Sequence, residues 1–158
     1  MKHFAKQSWQ QGFTLVEALV ALVVLSIGML GIAALYVESL RAGRTALTRS
    51  QAVNLASDMA DRIRANRLGG TAYGKASDDA GSADANCEEG GASASCTPAI
   101  MADHDKALWT TDLERSLPGG TATINVDDTT NPFTYTITVS WVEVGQDDPV
   151  NYIVRIQV

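Results

Sequence analysis

The chain has 158 residues, 46% of them hydrophobic, and a net charge of −6 at pH 7, which fits one modest domain with an appendage rather than two domains. The acids are concentrated late in the chain, because residues 68–158 hold fourteen acidic against four basic side chains, a net charge of −10. Such a domain repels phosphate, which argues against sequence-independent binding of nucleic acid.

The chain begins with a mostly polar stretch of twelve residues, "MKHFAKQSWQQG", which includes two lysines. An apolar run follows from Phe13 to Val37, and Glu17 is its only charged side chain. Residues 18–37 are twenty uncharged positions, which at about 1.5 Å per residue can cross a hydrocarbon core of about 30 Å. The lysines predict that residues 1–12 stay in the cytoplasm and that the chain after Val37 lies on the outer side of the membrane.

The apolar run could be a cleaved secretory signal, a plain signal anchor or a segment whose carboxylate has a function, and Glu17 helps to distinguish them. A cleaved secretory signal ends at a small-residue site after its apolar core, but here helix-forming residues continue and the first proline is Pro98. A plain signal anchor explains neither Gly12 nor Glu17. A carboxylate costs about 2.5–3.5 kcal/mol near the middle of a spanning segment and less near its end. Glu17 is therefore expected to have a function, with a partner group that compensates its charge. The alternative is a carboxylate that the helix dipole favours by about 0.3–1 kcal/mol.

The stretch from Gly12 to Glu17, "GFTLVE", with a basic leader before it and an apolar run after it, resembles the class III signal of type IV prepilins and pseudopilins. The resemblance implies that a prepilin peptidase cleaves between Gly12 and Phe13 and methylates the new N-terminus at Phe13. It also implies that Glu17 is an assembly determinant. Its carboxylate would pair with the Phe13 amine of a neighbouring subunit, and removing one member of such a pair typically costs about 3–5 kcal/mol.

The helix-forming sequence continues well beyond the apolar run. Residues 13–68 predict one helix: residues 13–37 form its transmembrane and filament-core part, and residues 38–68 its amphipathic part. Gly69 and Gly70 then end the helix. Apolar side chains recur at helical spacing in the second part and predict a stripe against a core: Leu40, Leu47, Ala52, Leu55, Ala56, Met59, Ala60 and Ile63. A free helix that pairs in a coiled coil is the alternative.

Residues 69–158 predict a periplasmic globular domain that begins with a flexible connection over residues 69–98. "GGTAYG" within this connection is typical of a linker rather than of a nucleotide-binding loop. Cys87 and Cys96 enclose eight residues, and in an exported domain they predict a disulfide across the 87–96 loop, worth about 2.5–3 kcal/mol. A metal site would need both cysteines together with His104 and an aspartate, so we expect no metal.

A helix and three strands are predicted after the connection. "ADHDKALWTTDLERSLPGG" predicts a helix over residues 103–117, which begins at a cap in Asp103-His104-Asp105 with exposed neighbours. Its inner side would carry Leu108, Trp109, Leu113 and Leu117. The segments "TATINVD", "FTYTITVSWVEV" and "VNYIVRIQV" alternate with a period of two and predict an antiparallel meander. Its inner face would carry Phe133, Tyr135, Ile137, Val139 and Trp141, matched by Val150, Tyr152, Val154, Ile156 and Val158.

These elements predict an α+β fold, in which a long N-terminal helix packs through its second half against a small antiparallel sheet. The prepilin resemblance implies this same type IV pilin-like architecture. Pilin major subunits often carry a proline at the position of Ala34, so its absence indicates a minor subunit. "RSQAVNLASDMADRIRANR" and "LPGG" are similar to PilV-type minor pilins.

The resemblance implies a minor pilin that takes part in initiating type IV pilus assembly and lies at or near the pilus tip, where it supports adhesin display, adhesion and twitching motility. Its partners would be other minor pilins, the major pilin, a tip adhesin, the prepilin peptidase and the inner membrane. A minor pseudopilin of type II secretion and a DNA-uptake pilin are the alternatives, and the acidic domain disfavours the second. A signal-anchored enzyme is a more distant alternative. The sequence has no G-x-S-x-G motif and no phosphate loop, so we expect neither catalysis nor a cofactor.

Overall fold

The computed structural model describes residues 12–88 and 95–158. Most of the leader, residues 1–11, and the central part of the loop between the cysteines, residues 89–94, lie outside the described residues. The chain divides into two compact units, with the boundary between Gly43 and Arg44. The elements, in chain order, are α1 (Leu15–Ala65), 3₁₀ turns at Arg67–Tyr73 and Ala85–Cys87, α2 (Pro98–Ser116), β1 (Thr121–Asp127), β2 (Thr134–Trp141) and β3 (Val150–Gln157).

Helix α1 begins two residues after and ends three residues before the predicted bounds of 13 and 68. Its end is fixed by Asn66, whose amide donates hydrogen bonds to the Tyr73 hydroxyl at 3.1 Å and to the Pro98 carbonyl at 2.8 Å. The chain then tightens into a 3₁₀ turn, in which Gly70 takes a φ of +50° that favours glycine. The predicted stop at the two glycines therefore lies inside a second, tighter turn.

The apolar stripe of α1 is buried over its last four turns. Ala52, Ala56, Met59, Ala60 and Ile63 are buried and Leu55 is partly buried in the core. Leu40 and Leu47 were expected on the same buried stripe, but their exposed fractions are 53% and 59%. The prediction was wrong at these two positions because the buried core begins at Ala52. Helical spacing shows which face of the helix is apolar, but not how far along the helix another element covers that face.

Helix α2 begins five residues before the predicted position. The Thr97 hydroxyl caps it by accepting the Ile100 N–H at 3.3 Å, and Pro98 occupies the first turn, where its missing N–H costs no hydrogen bond. His104 and Asp105 are buried, so the prediction of a cap with exposed neighbours at residues 103–105 was wrong. Trp109, Leu113 and Leu117 are buried as predicted, whereas Leu108 is 39% exposed.

The three strands form the predicted antiparallel meander in the order β1-β2-β3. The predicted inner faces are confirmed, since Tyr135 pairs with Ile156, and Ile137 lies between Ile124 and Val154. Tyr135, Ile137, Val139 and Trp141 of β2 are buried in one core with α1 and α2. A three-stranded sheet is stable when one apolar face is covered in this way.

The described part of the connection between α1 and α2, residues 69–88 and 95–97, is more ordered than its composition predicts. Tyr73 and Lys75 are buried, and Lys75 exchanges two backbone hydrogen bonds of 2.9 Å with Ile124 of β1. Gly81 approaches the backbone of α2 closely. A glycine-rich composition predicted flexibility here, but the same small residues also permit close packing.

Candidate functional site

The motif at the start of α1 has a defined local geometry. The Thr14 hydroxyl accepts the Glu17 N–H at 3.3 Å, and the Thr14 carbonyl accepts the Ala18 N–H at 3.2 Å. Thr14 is therefore the N-cap of α1. The sequence prediction missed this role, although the Thr-x-x-Glu spacing of a capping box was available to indicate it.

Glu17 lies in the first turn of α1 and is exposed, as are Gly12 and Phe13. The helix N-terminus favours a carboxylate at this place by about 0.3–1 kcal/mol. No cation within residues 12–88 and 95–158 forms an ion pair with Glu17. The carboxylate is thus available to a group outside the described part of this chain.

The first half of α1 exposes apolar side chains almost continuously. Residues 18–37 carry no charge, and the helix is long and apolar enough to cross a membrane. Large side chains such as Leu19, Leu22 and Leu30 are between 59% and 72% exposed. An apolar surface of this extent is typical of contact with lipid or protein.

Gly28 and Gly31 interrupt this surface. A methyl group added at either position would meet no atom within 4 Å, so no contact within the described chain explains the glycines. Each glycine weakens the helix by about 0.8–1 kcal/mol relative to alanine. Glycines on a spanning helix permit close approach of another helix.

An ion pair attaches the second unit's part of α1 to the end of β2. Arg49 donates two hydrogen bonds to Glu143, from Nε to Oε1 at 2.8 Å and from Nη2 to Oε2 at 3.0 Å. The Glu143 side chain is only 5% exposed. The hydrogen bond from Arg49 lowers the pKa of Glu143 and its charge adds to the effect, because both favour the carboxylate form.

A second polar cluster joins α1, the connection and α2. Tyr73 donates a hydrogen bond of 2.7 Å to Asp105 Oδ2, and Arg62 Nη1 lies 3.0 Å from Asp105 Oδ1. Burial raises the pKa of Tyr73, and the hydrogen bond to Asp105 raises it further. At the preceding residue of α2, His104 Nδ1 accepts the Asp84 N–H at 2.9 Å. These groups satisfy one another, as polar groups buried between packed elements must.

Cys87 and Cys96 form a disulfide, with their Cα atoms 5.2 Å apart. The bond closes the loop just before α2 and leaves no free thiol. The described residues contain no group of three or more His, Cys, Asp or Glu side chains that could hold a metal. An open cavity of about 510 Å³ lies beside Lys106, but the ammonium of that lysine already contacts Asp79 Oδ2 at 3.2 Å and Asp103 Oδ1 at 3.1 Å.

Two family models match the chain. The model described as the prokaryotic N-terminal methylation motif matches residues 10–33, which include Gly12, Phe13 and Glu17. The model described as type IV pilin Tt1218 matches residues 34–107, from the apolar half of α1 into α2. No curated protein and no solved structure matches the chain. The two matches adjoin without overlap and together cover residues 10–107.

Proposed function

The chain belongs to the type IV pilin family, and from this premise we propose that it is a minor pilin of the PilV type. It takes part in initiating pilus assembly and lies at or near the pilus tip. There it supports adhesin display, adhesion and twitching motility, together with other minor pilins, the major pilin and a tip adhesin. The observation that carries the proposal is one exposed carboxylate, Glu17, near the start of the apolar run from Phe13 to Val37, which holds no other charged side chain.

Processing creates the partner that Glu17 lacks. The prepilin peptidase cleaves between Gly12 and Phe13 and methylates the Phe13 amine, removing the leader of residues 1–12. The new terminal amine is a cation at the membrane face, four residues before Glu17. In a staggered row of parallel helices, the Phe13 amine of one subunit lies beside the Glu17 carboxylate of the next. Pairing then offsets the burial of both charges in the filament.

The first part of the long helix has two roles, first as a membrane anchor and then as part of the filament core. Residues 13–37 hold the subunit in the inner membrane, with residues 69–158 on the periplasmic side, and later pack in the filament core. Lipid and neighbouring helices are both apolar, so the same side chains suit both surroundings. Gly28 and Gly31 support this proposal because a methyl group added at either position would meet open space, so packing within the described chain does not require glycine there. Residues 38–68 attach this helix to the globular domain.

The mature N-terminus is the first test. Mass spectrometry of the protein purified from cells should detect a chain that begins with N-methylated Phe13. The Gly12 carbonyl belongs to the scissile bond, and a bulky residue there should block cleavage, so a Gly12→Val variant should retain Met1. A mature protein that retains the leader in the parent strain would contradict the proposal.

Glu17→Gln tests assembly directly. It removes the charge with little change in size, so cells should carry fewer surface pili and shear fractions should contain at least tenfold less of the variant protein. Glu38→Gln is the matched control, because Glu38 is the next exposed carboxylate on the same helix and lies just beyond the apolar run. Unchanged piliation with Glu17→Gln, or equal losses with both variants, would contradict the role of Glu17.

Clean deletion separates the minor pilin from its nearest alternatives. We expect loss of surface pili and twitching with secretion of folded exoproteins unchanged. The opposite pattern would identify a minor pseudopilin of type II secretion. Loss of DNA uptake with normal piliation would instead identify a DNA-uptake pilin, although a domain charge of −10 over residues 68–158 disfavours contact with phosphate.

A further inference from the structure

The two edges of the sheet are not equivalent. At β1, the connection pairs with the strand, since Lys75 and Ile124 exchange two backbone hydrogen bonds of 2.9 Å. At the other edge, β3 pairs with β2 alone among the described elements. Alternate backbone N–H and C=O groups of an edge strand point away from its neighbour and can pair with another strand. The edge at β3 is therefore a bare edge, whereas the edge at β1 is partly covered.

The apolar side chains at β3 are also incompletely covered. Within the register, Val139 pairs with Tyr152 and Ile137 pairs with Val154. Val139 and Ile137 are both fully buried, whereas Tyr152 and Val154 are only half-buried. On the opposite face of the sheet, Ile153 is 60% exposed. Apolar surface thus adjoins the bare edge on both faces.

Devices that protect natural sheet edges are scarce on β3. Edge strands are commonly guarded by proline, by a bulge or by several charged side chains. Here the register from Val150 to Gln157 is uninterrupted, and Arg155 is the only charged residue of the strand. Pro149 lies just before the strand and does not interrupt it. The strand is therefore open to pairing over its whole length.

We propose that β3 receives an extended segment of a different protein, which adds a fourth strand to the sheet. Apolar side chains at every second position of that segment cover Tyr152 and Val154 on one face, and a carboxylate lies opposite Arg155 on the other. Cross-strand pairs of this kind stabilise sheets, and main-chain hydrogen bonds supply the affinity in strand addition. The inference deepens the proposed function, because it names how a tip partner binds this subunit.

The charge of β3 argues for a different protein rather than a second copy. The strand "VNYIVRIQ" contains a cation and no acid, so two copies paired edge to edge would leave the arginine of each strand without an opposing carboxylate. Opposite charges across strands stabilise a sheet, and a second copy cannot supply them from this strand. An acidic segment of a partner complements the edge.

Site-specific crosslinking in living cells tests the inference on the full chain. A benzophenone amino acid is placed at position 153 on the bare edge, or at position 125 on β1, an exposed residue of the same sheet face. We expect at least fivefold more crosslinked product from position 153. The captured peptide, identified by mass spectrometry, should alternate apolar and polar residues and contain an acid.

Charge reversal tests the role of Arg155 in the same assay. Arg155→Glu should reduce the product crosslinked at position 153 at least fivefold. Arg115→Glu is the control, because it changes an exposed arginine at the end of α2, and it should not reduce that product.

Each outcome has a definite meaning. Equal crosslinking from positions 153 and 125, or capture of a second copy of this chain at position 153, would overturn the inference. A chain that is processed at Gly12, enters filaments and still gives no edge-specific product would overturn it too, and would leave the proposed function intact. A chain that is neither processed nor assembled would overturn both.

Discussion

Arg49 and Glu143, 94 positions apart in the sequence, form a bidentate ion pair. Trp141 Nε1 adds a third hydrogen bond to the Glu143 carboxylate at 3.3 Å. Glu143 follows the last residue of β2 by two positions, and Arg49 lies one turn before the first buried residue of α1. The pair therefore fixes the end of the sheet to α1 at the point where the core begins.

Replacing Glu143 by glutamine should lower the midpoint of thermal unfolding near pH 7. The hydrogen bond from Arg49 holds the pKa of Glu143 below its usual value of 4.5, so the unfolded chain binds this proton more readily. The stabilisation is therefore present above pH 4.5 and is lost as the pH falls through the lower, folded-state pKa. Circular dichroism of the full protein in detergent should show a difference from the parent that shrinks as the pH falls below 4.5.

The control for this prediction is Glu114→Gln, which changes an exposed carboxylate on α2. It should leave the midpoint within experimental error at each pH. A Glu143→Gln variant as stable as the parent near neutral pH would show that the ion pair contributes nothing.

Tyr73→Phe should lower the free energy of unfolding by about 1–3 kcal/mol, because it leaves the buried Asp105 with one hydrogen-bond donor fewer. Tyr135→Phe is the comparison, since that hydroxyl makes a longer bond of 3.3 Å to the Gly70 carbonyl, and its loss should be smaller. Urea denaturation near pH 7 measures both. Equal losses in the two variants would contradict the role assigned to Asp105.

The contribution of Tyr73 to stability should also depend on pH. Burial raises the pKa of Tyr73 above its usual 10.0, and the hydrogen bond to Asp105 raises it further. The stabilisation by the neutral hydroxyl is therefore present below pH 10 and is lost as the pH rises above it.

The elements that local sequence determines were predicted well. The sheet follows from alternation, since a period of two places Tyr135, Ile137 and Val139 on one face and turn residues separate the strands. The long helix was predicted because helix-forming residues continue without a proline from the apolar run to the two glycines at 69 and 70. Gly12, Phe13 and Glu17 were found through a contiguous motif, but their roles depend on other proteins. The structure of one chain shows where Glu17 lies, but the described residues include no ion-pair partner for it. The role of Glu17 in assembly therefore stays a prediction.

Features that depend on distant partners were not predicted. His104 and Asp105 look like surface residues in a polar run, but Asp105 is buried because Arg62 and Tyr73, 43 and 32 positions away, hydrogen-bond to it. Leu47 and Leu108 have the spacing of core residues, but both are exposed. Helical periodicity shows which face of a helix is apolar and does not show where another element covers that face.

Reducing the disulfide should destabilise the globular unit. The loop-entropy relation gives about 2.5–3 kcal/mol for a loop of the length that Cys87 and Cys96 close. Chemical denaturation of the parent should show this loss on addition of dithiothreitol, and Cys87→Ser combined with Cys96→Ser should show it without the reductant. The double variant should not respond further to dithiothreitol. A parent protein with the same denaturation midpoint under oxidising and reducing conditions would contradict the prediction.

Gly81→Ala should be among the most damaging single-methyl additions in the globular unit. Gly81 has a φ of +69°, and an added Cβ would lie 2.6 Å from the Asp103 carbonyl oxygen and 2.7 Å from the Ala107 nitrogen. Both atoms belong to the backbone of α2 and cannot move without displacing the helix. Gly145→Ala is the matched control, because Gly145 has a φ of +90° and open space around it. Left-handed strain alone should cost the control about 1–2 kcal/mol.

The clash at Gly81 should add about 1–3 kcal/mol to that strain, and the difference between the two variants isolates it. Urea denaturation of both proteins in the same detergent measures this difference. Close contact between the connection and α2 predicts that Gly81→Ala also increases proteolysis within residues 75–84, since the displaced segment loses its packing. Equal destabilisation by the two substitutions would mean that the connection yields freely, as its glycine-rich composition first predicted, and that it does not hold α2 in place.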